Sequence, residues 1–263
     1  MTPEEKAKNV IEEYCFKDQK QLDIEAIAWA EFIAIEEIPM TTHIGRINFE
    51  DGYGLMSIKD SFNYAGQRNF TIAHELGHYF IEKESMLKKF SCSSKDLLSY
   101  KFGSLFEQKA NEFAAELLMY KPWFSDFVRK RDINMQLIKD IADHFGVSLS
   151  AAAIRYAGHG RFPIAVIYSS KEDPKSNYGE VKWRSISEYF PLKWIPIGFK
   201  VSKDSPASDF FKGETMQEGA DLVPASAWFS EDKRCGNSQF WEENIVMSKL
   251  NSVLTILWSE KKR

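Results

Sequence analysis

The chain is poor in cysteine, in long apolar runs and in excess positive charge, and each shortage removes a class of protein. Its three cysteines, Cys15, Cys92 and Cys235, lie far apart in 263 residues and form no CxxC pair. Such a set supports neither a disulfide framework nor a thiolate metal site, so reduced thiols in a cytoplasmic protein are expected. No run approaches the roughly 18 apolar residues of a membrane span, and the opening MTPEEKAKNVIEEY is charged throughout. No membrane partner and no secretion are therefore expected. The formal net charge of −4 argues against a broad cationic face for nucleic acid, while leaving room for a local one. Phosphate loops, internal repeats and low-complexity tracts are absent from the sequence.

What is present is apolar and aromatic: 44% hydrophobic and 14% aromatic residues, enough for a substantial core and more than one domain. The stretch RNFTIAHELGHYF, residues 68–80, carries the chemistry. His74 and His78 stand four positions apart, so on a helix both imidazoles project from one face and can converge on a cation. Zinc suits two neutral nitrogens and a carboxylate, with a fourth position for water. Glu75, about a quarter turn away, should miss the metal yet reach that water as a general base. The flanking Phe70, Gly77 and Ile81 place the histidines on an apolar stripe. A pair of structural histidines is the plainer alternative, and it would require buried partners for both rings.

A third ligand follows from helical geometry. FEQKANEFAAELLM, residues 106–119, has apolar residues at helical intervals and no breaker before Pro122. At about 100° per residue, Ala110, Asn111, Ala114 and Leu118 fall within roughly 60° of Glu107, which puts that carboxylate in an apolar stripe. Glu112 and Glu116 point the other way and are expected to be solvated. An ionised carboxylate among apolar side chains costs several kcal/mol unless a cation compensates it, and a metal on two histidines would do so. Alternatively, Glu107 serves the start of its helix as a cap or dipole partner. Asn111, one turn on, could support a metal ligand from behind or satisfy backbone.

FTIAHELGHYF followed by E-x-x-A-N-x-F-A-A-E-L-L-M resembles the ImmA/IrrE family of bacterial and phage metallopeptidases, over about residues 68–120. The resemblance implies a zincin-like domain in which His74, His78 and Glu107 bind Zn2+ and Glu75 is the base. It also implies a protein substrate, a helix-turn-helix repressor of a phage, a mobile element or a stress regulon, which is cleaved or otherwise inactivated. Two departures touch no ligand: Tyr120 and Lys121 precede Pro122, and residues 81–84 read IEKE where many members have a further histidine. A competing class is a non-proteolytic regulator that keeps the zinc fold as a protein- or DNA-binding module. Glu75 favours the enzyme, because a binding module needs no base.

The rest of the chain points to an α+β protein in three parts: a metallopeptidase domain over 1–125, a helix-turn-helix-like unit over 126–160 and a β-rich or α+β domain over 161–263. Helices are expected from Pro3 to about Lys17 and in LDIEAIAWAEF; strands in EEIPM, HIGRINFE and YGLMSIKD. The segment Tyr53 to Asp60 is a candidate edge for aligning an extended substrate, although packing alone explains its pattern. His43, Tyr79 and Tyr120 are oxyanion-donor candidates without a spacing argument, and that role stays unassigned. In INMQLIKDIADHFGVSLSAAAIRYA, residues 133–157, two helices flank a turn at Gly146. The second offers Arg155 as its one cation and no Asn or Gln for a base edge, so structural packing is favoured over DNA reading. After a hinge at Gly158 to Pro163, FPIAVIYS, VKWRSIS, WIPIGFKV and SVLTILW read as strands. Some relatives carry a GAF-like sensor at this place, and no residue set here identifies a ligand. The tryptophans from Trp183 to Trp258 read as core.

Overall fold

The computed structural model describes residues 1–41, 43–50, 52–62, 64–89, 103–173, 175–247 and 250–259, and side chains there except at 82–89 and 103–104. Cys92 lies outside the described residues; Cys15 and Cys235 are free thiols. The chain divides into two compact units, Met1–Asp126 with Ala142–Ser148, and Phe127–Ile141 with Leu149–Arg263. Residues 126–160 thus contribute to both, and the GHGRFP segment runs inside the second. Among the described residues no helix is long and apolar enough to cross a membrane.

The first unit opens with α1 (Pro3–Glu13), which starts at a capping box: Thr2 Oγ1 accepts from the Glu5 amide and Glu5 accepts from the Thr2 amide in return. It ends four residues before the expected Lys17, where Cys15 takes φ 58. Next comes α2 (Ile24–Ala30), N-capped by Asp23, which accepts from the Glu25 and Ala26 amides. The strands β1 (Ile33–Ile38), β2 (Gly45–Glu50) and β3 (Tyr53–Lys59) form a sheet of order β1-β3-β2, with β1 parallel and β2 antiparallel to β3. The Tyr53 to Asp60 segment, expected as a substrate-aligning edge, is corrected by this order. Folding back on β2 fills one side of β3 and parallel β1 fills the other, so β2 is an open edge instead.

Two long helices complete the unit: α3 (Ala65–Lys89) and α4 (Gly103–Leu118). Alternation along β3 buries Met56 and Ile58, while helical spacing buries Ile72, Ala73 and Leu76 on α3 and Ala110, Phe113, Ala114 and Leu117 on α4. Gly77 lets the two helices meet closely, because a Cβ there would stand 3.0 Å from the Ala110 backbone. Phe80 and Phe113 stack across the same contact at 5.7 Å between centroids. Tyr14 and Tyr79 both donate to Glu31, at 2.9 and 2.6 Å, which ties α3 to the N-terminal helices.

The second unit is a five-stranded antiparallel sheet of order β5-β4-β8-β7-β6. Its strands are β4 (Ile164–Ser170), β5 (Glu180–Ile186), β6 (Asp221–Pro224), β7 (Gln239–Met247) and β8 (Ser252–Trp258). The helix α7 (Leu149–His159) packs against β4 and β5. The short helices α8 (Ala207–Lys212) and α9 (Ser226–Phe229) join a core of Ile167, Phe190, Phe211, Trp228, Phe240 and Leu257. WIPIGFKV, expected as a strand, is not one: Pro196 lacks a donor and Gly198 takes φ 80. It closes on β5 through the Val181 amide to the Phe199 carbonyl and the Gly198 amide to the Val181 carbonyl. Strands β6 and β7 were not read from the sequence, and Trp194 is 52% exposed rather than core. The α+β class, the helical pair α6 (Met135–Phe145) and α7, and the β-rich C-terminal region are all present. Since α7 buries Ala152, Ala153, Arg155 and Tyr156, its one candidate DNA-binding cation lies inside the unit.

Candidate metal centre

The helix α3 presents His74 and His78 from one face, one turn apart, and the close contact at Gly77 brings Glu107 of α4 opposite them. The three donor groups form a compact triangle: His74 Nε2 to His78 Nε2 is 3.1 Å, His74 Nε2 to Glu107 Oε2 is 3.1 Å, and His78 Nε2 to Glu107 Oε1 is 3.3 Å. A tetrahedral divalent ion with bonds of about 2.0–2.1 Å has donors about 3.3 Å apart. All three edges fit that figure. His74 Nδ1–H donates to Asn111 Oδ1 at 3.0 Å, which leaves the Nε2 lone pair facing the triangle. Asn111 thus holds the orientation of the His74 ring.

Two positions differ from the helical-wheel expectation. Glu107 is not sunk in an apolar stripe; its side chain is 57% exposed, against 16% and 17% for the two histidines. The α4 stripe is apolar from Ala110 onward, and Glu107 sits at its open end on the rim of a cleft. Glu116, expected to be solvated, is 5% exposed and accepts the Lys121 amide at 3.0 Å. The turn into Lys121 folds over it, which a wheel drawn for a free helix omits.

Glu75 is 6% exposed. Burial pushes its carboxyl up to about 7; the neighbouring His78 opposes the shift and Glu107 adds to it. Burial and the His78 charge also lower His74, so its ring favours the neutral form that binds metals. The cleft, about 590 Å³, runs between β2 and α3. His43, Ile44, Gly45, Arg46 and Ile47 line one side, Phe70 and Thr71 join the histidines on the other, and Glu107 and Asn111 are at the rim. Of the three oxyanion candidates, His43 lines this cleft. Tyr79 is 3% exposed and donates to Glu31, while Tyr120 sits against Trp123; neither lines the cleft. The wall residues Gly45 and Ile47 carry no sequence signal of their own; only the pairing of β2 with β3 and its contact with α3 bring them there.

No curated protein matches the chain. A solved structure titled "Mycobacterium tuberculosis transcriptional regulator" aligns with a TM-score of 0.62 at 14% identity, covering 98% of this chain and 75% of that one. At that identity the likeness is one of fold. The family model described as the IrrE N-terminal-like domain of the M78 peptidases matches residues 33–156, from β1 into α7. That match contains the whole His74, His78 and Glu107 triangle, and over residues 33–156 the chain carries a domain of the ImmA/IrrE metallopeptidase family.

Proposed function

We propose that the chain is a zinc-dependent endopeptidase that cleaves a cytoplasmic helix-turn-helix repressor and so relieves repression, in a stress response or in phage or mobile-element control. The observation that carries the reading is the donor triangle, with edges of 3.1, 3.1 and 3.3 Å, beside a buried carboxyl held near neutrality. Two imidazoles and one carboxylate suit zinc better than the harder, all-oxygen cations. When bound, zinc supplies a Lewis acid that acidifies water and polarises a carbonyl. His74, His78 and Glu107 would hold it, and Asn111 would keep the His74 ring in the required tautomer and orientation.

Glu75 then takes the proton of the attacking water and delivers it to the leaving nitrogen, work suited to a carboxyl whose pKa lies near the operating pH. The open edge of β2 offers main-chain donors and acceptors along the cleft, where an extended segment of a protein can be aligned as an added strand. With Arg155 buried, α7 is poorly equipped to meet DNA, which favours a protein as the partner.

The test is incubation of the zinc-loaded protein with candidate helix-turn-helix repressors, followed by sequencing of the fragments. Glu75→Gln should keep zinc and produce no fragments. Derepression that persists in cells carrying that variant would instead support a non-proteolytic regulator.

A further inference from the structure

We propose that Gly45, on the strand facing the catalytic helix, is a positioning residue for Glu75: its missing side chain is the seat in which the carboxyl rests. This rests on the peptidase reading for its chemistry, but its geometry stands alone. Glu75 is almost fully buried, yet no hydrogen-bond donor meets its carboxyl among the described residues. The carboxyl borders the cleft, and the packing of β2 against it limits where it can lie. A Cβ at position 45 would lie 2.7 Å from Glu75 Oε1, 3.3 Å from Glu75 Cγ and 2.6 Å from Thr71 Cγ2. Carbon atoms pack at about 3.5–4.0 Å, so glycine alone lets β2 and α3 come this close.

Neither wall can easily retreat. Gly45 pairs with Ile58 in the β-ladder, and α3 is pressed against α4 at Gly77. Thr71 is fixed as well, its hydroxyl donating to the Gln67 carbonyl at 2.9 Å. The movable part is the far end of the Glu75 side chain. A methyl at position 45 should consequently swing that carboxyl away and leave His74, His78 and Glu107 in place, since the atoms nearest a Cβ there belong to Thr71 and Glu75 alone.

The experiment compares wild type, Gly45→Ala and Gly45→Ala with Thr71→Ser, all zinc-loaded, by crystal structure, zinc content, melting temperature and steady-state hydrolysis of fluorescently labelled casein. In Gly45→Ala the Glu75 carboxyl should be displaced by several tenths of an ångström or more. Turnover should fall by about 10²-fold, the cost of a misplacement on the ångström scale, with KM and zinc content unchanged within about twofold. Thr71→Ser removes the threonine methyl that would crowd the methyl introduced at position 45 but leaves the clash with Glu75, so it should not restore kcat. Should Gly45→Ala fail to fold, the double variant carries the same comparison. A Glu75 carboxyl that superposes on wild type, or full rescue by Thr71→Ser, overturns the proposal. Wild type inert toward casein and toward repressors would count against the peptidase reading, and the displacement in the crystal would still decide the role of Gly45.

Discussion

Glu75 and Glu242 are both glutamates withdrawn from water, one in the cleft of the first unit and one in the core of the second, and their surroundings treat them oppositely. Glu242 is fully buried and meets three side-chain donors: Ser205 Oγ at 2.6 Å, Trp228 Nε1 at 2.7 Å and Asn244 Nδ2 at 2.8 Å. Glu75 meets none among the described residues and is lodged by shape against Gly45. Burial alone therefore does not separate a structural carboxylate from a working one. A carboxylate whose lone pairs are filled stitches elements together, and removing it strands its donors. One left without donors beside a cleft is free to exchange its proton with a reactant.

The largest expected contrast comes from placing glutamine at each position. Glu75→Gln should lower turnover by between about 10² and 10⁴, the usual worth of a general base, while melting stays within a degree or two of wild type because no donor opposes the new amide. Glu242→Gln should leave turnover unaffected and destabilise the second unit by about 1–3 kcal/mol, since its amide must face at least one of three donors. Chemical denaturation followed separately for the two units checks both. Equal stability losses at the two positions would erase the distinction.

The next contrast lies within α4. Glu107→Ala should bring metal content from about one equivalent to almost none after dialysis, whereas Glu116→Ala should stay replete and lose about 1 kcal/mol from its bond to the Lys121 amide. A replete Glu107→Ala variant would dissolve the triangle. Smaller again is Asn111→Ala, which should weaken metal affinity by about 10–100-fold by freeing the His74 ring. Competition with a chromophoric chelator measures it.

How much of this was legible in the sequence follows from the range of the interactions. The HExxH spacing and the E-x-x-A-N segment are local, and an α-helix converts local spacing into facing, so His74, His78, Glu75, Glu107 and Asn111 could be named from periodicity and resemblance. The edge strand could not, because which of β2 and β3 stays open depends on β1 pairing across a turn in the chain. Gly45 was hidden for the same reason: its meaning is a distance to Glu75, 30 residues away in sequence. In the second unit, β7 was missed because Glu242, Glu243 and Asn244 interrupt its apolar alternation. Those polar residues are tolerated in a central strand because Ser205 and Trp228 bond Glu242, the Met135 amide bonds Glu243 and Thr255 bonds Asn244. WIPIGFKV failed in the other direction, since an apolar run with Pro196 and Gly198 can be buried without forming a ladder.

The gentlest way to sharpen the contrast is pH. Burial raises the Glu242 carboxyl above its ordinary value of 4.5, and the bonds from Ser205, Trp228 and Asn244 pull it back only in part. The folded state then holds this proton to a higher pH than the unfolded chain, so between the ordinary and the raised value it binds more protons. Stability must fall as pH rises through that window, and the contribution is greatest below it. Wild type should therefore lose a few degrees of second-unit melting temperature between acidic and neutral buffer relative to Glu242→Gln, which cannot titrate there. The difference between the two proteins cancels the other titrating groups. The indole N–H resonance of Trp228, bonded to the same carboxyl, should shift over the same range. A difference that stays flat with pH, or rises with it, would mean the three donors outweigh burial and that Glu242 is an ordinary ionised anchor.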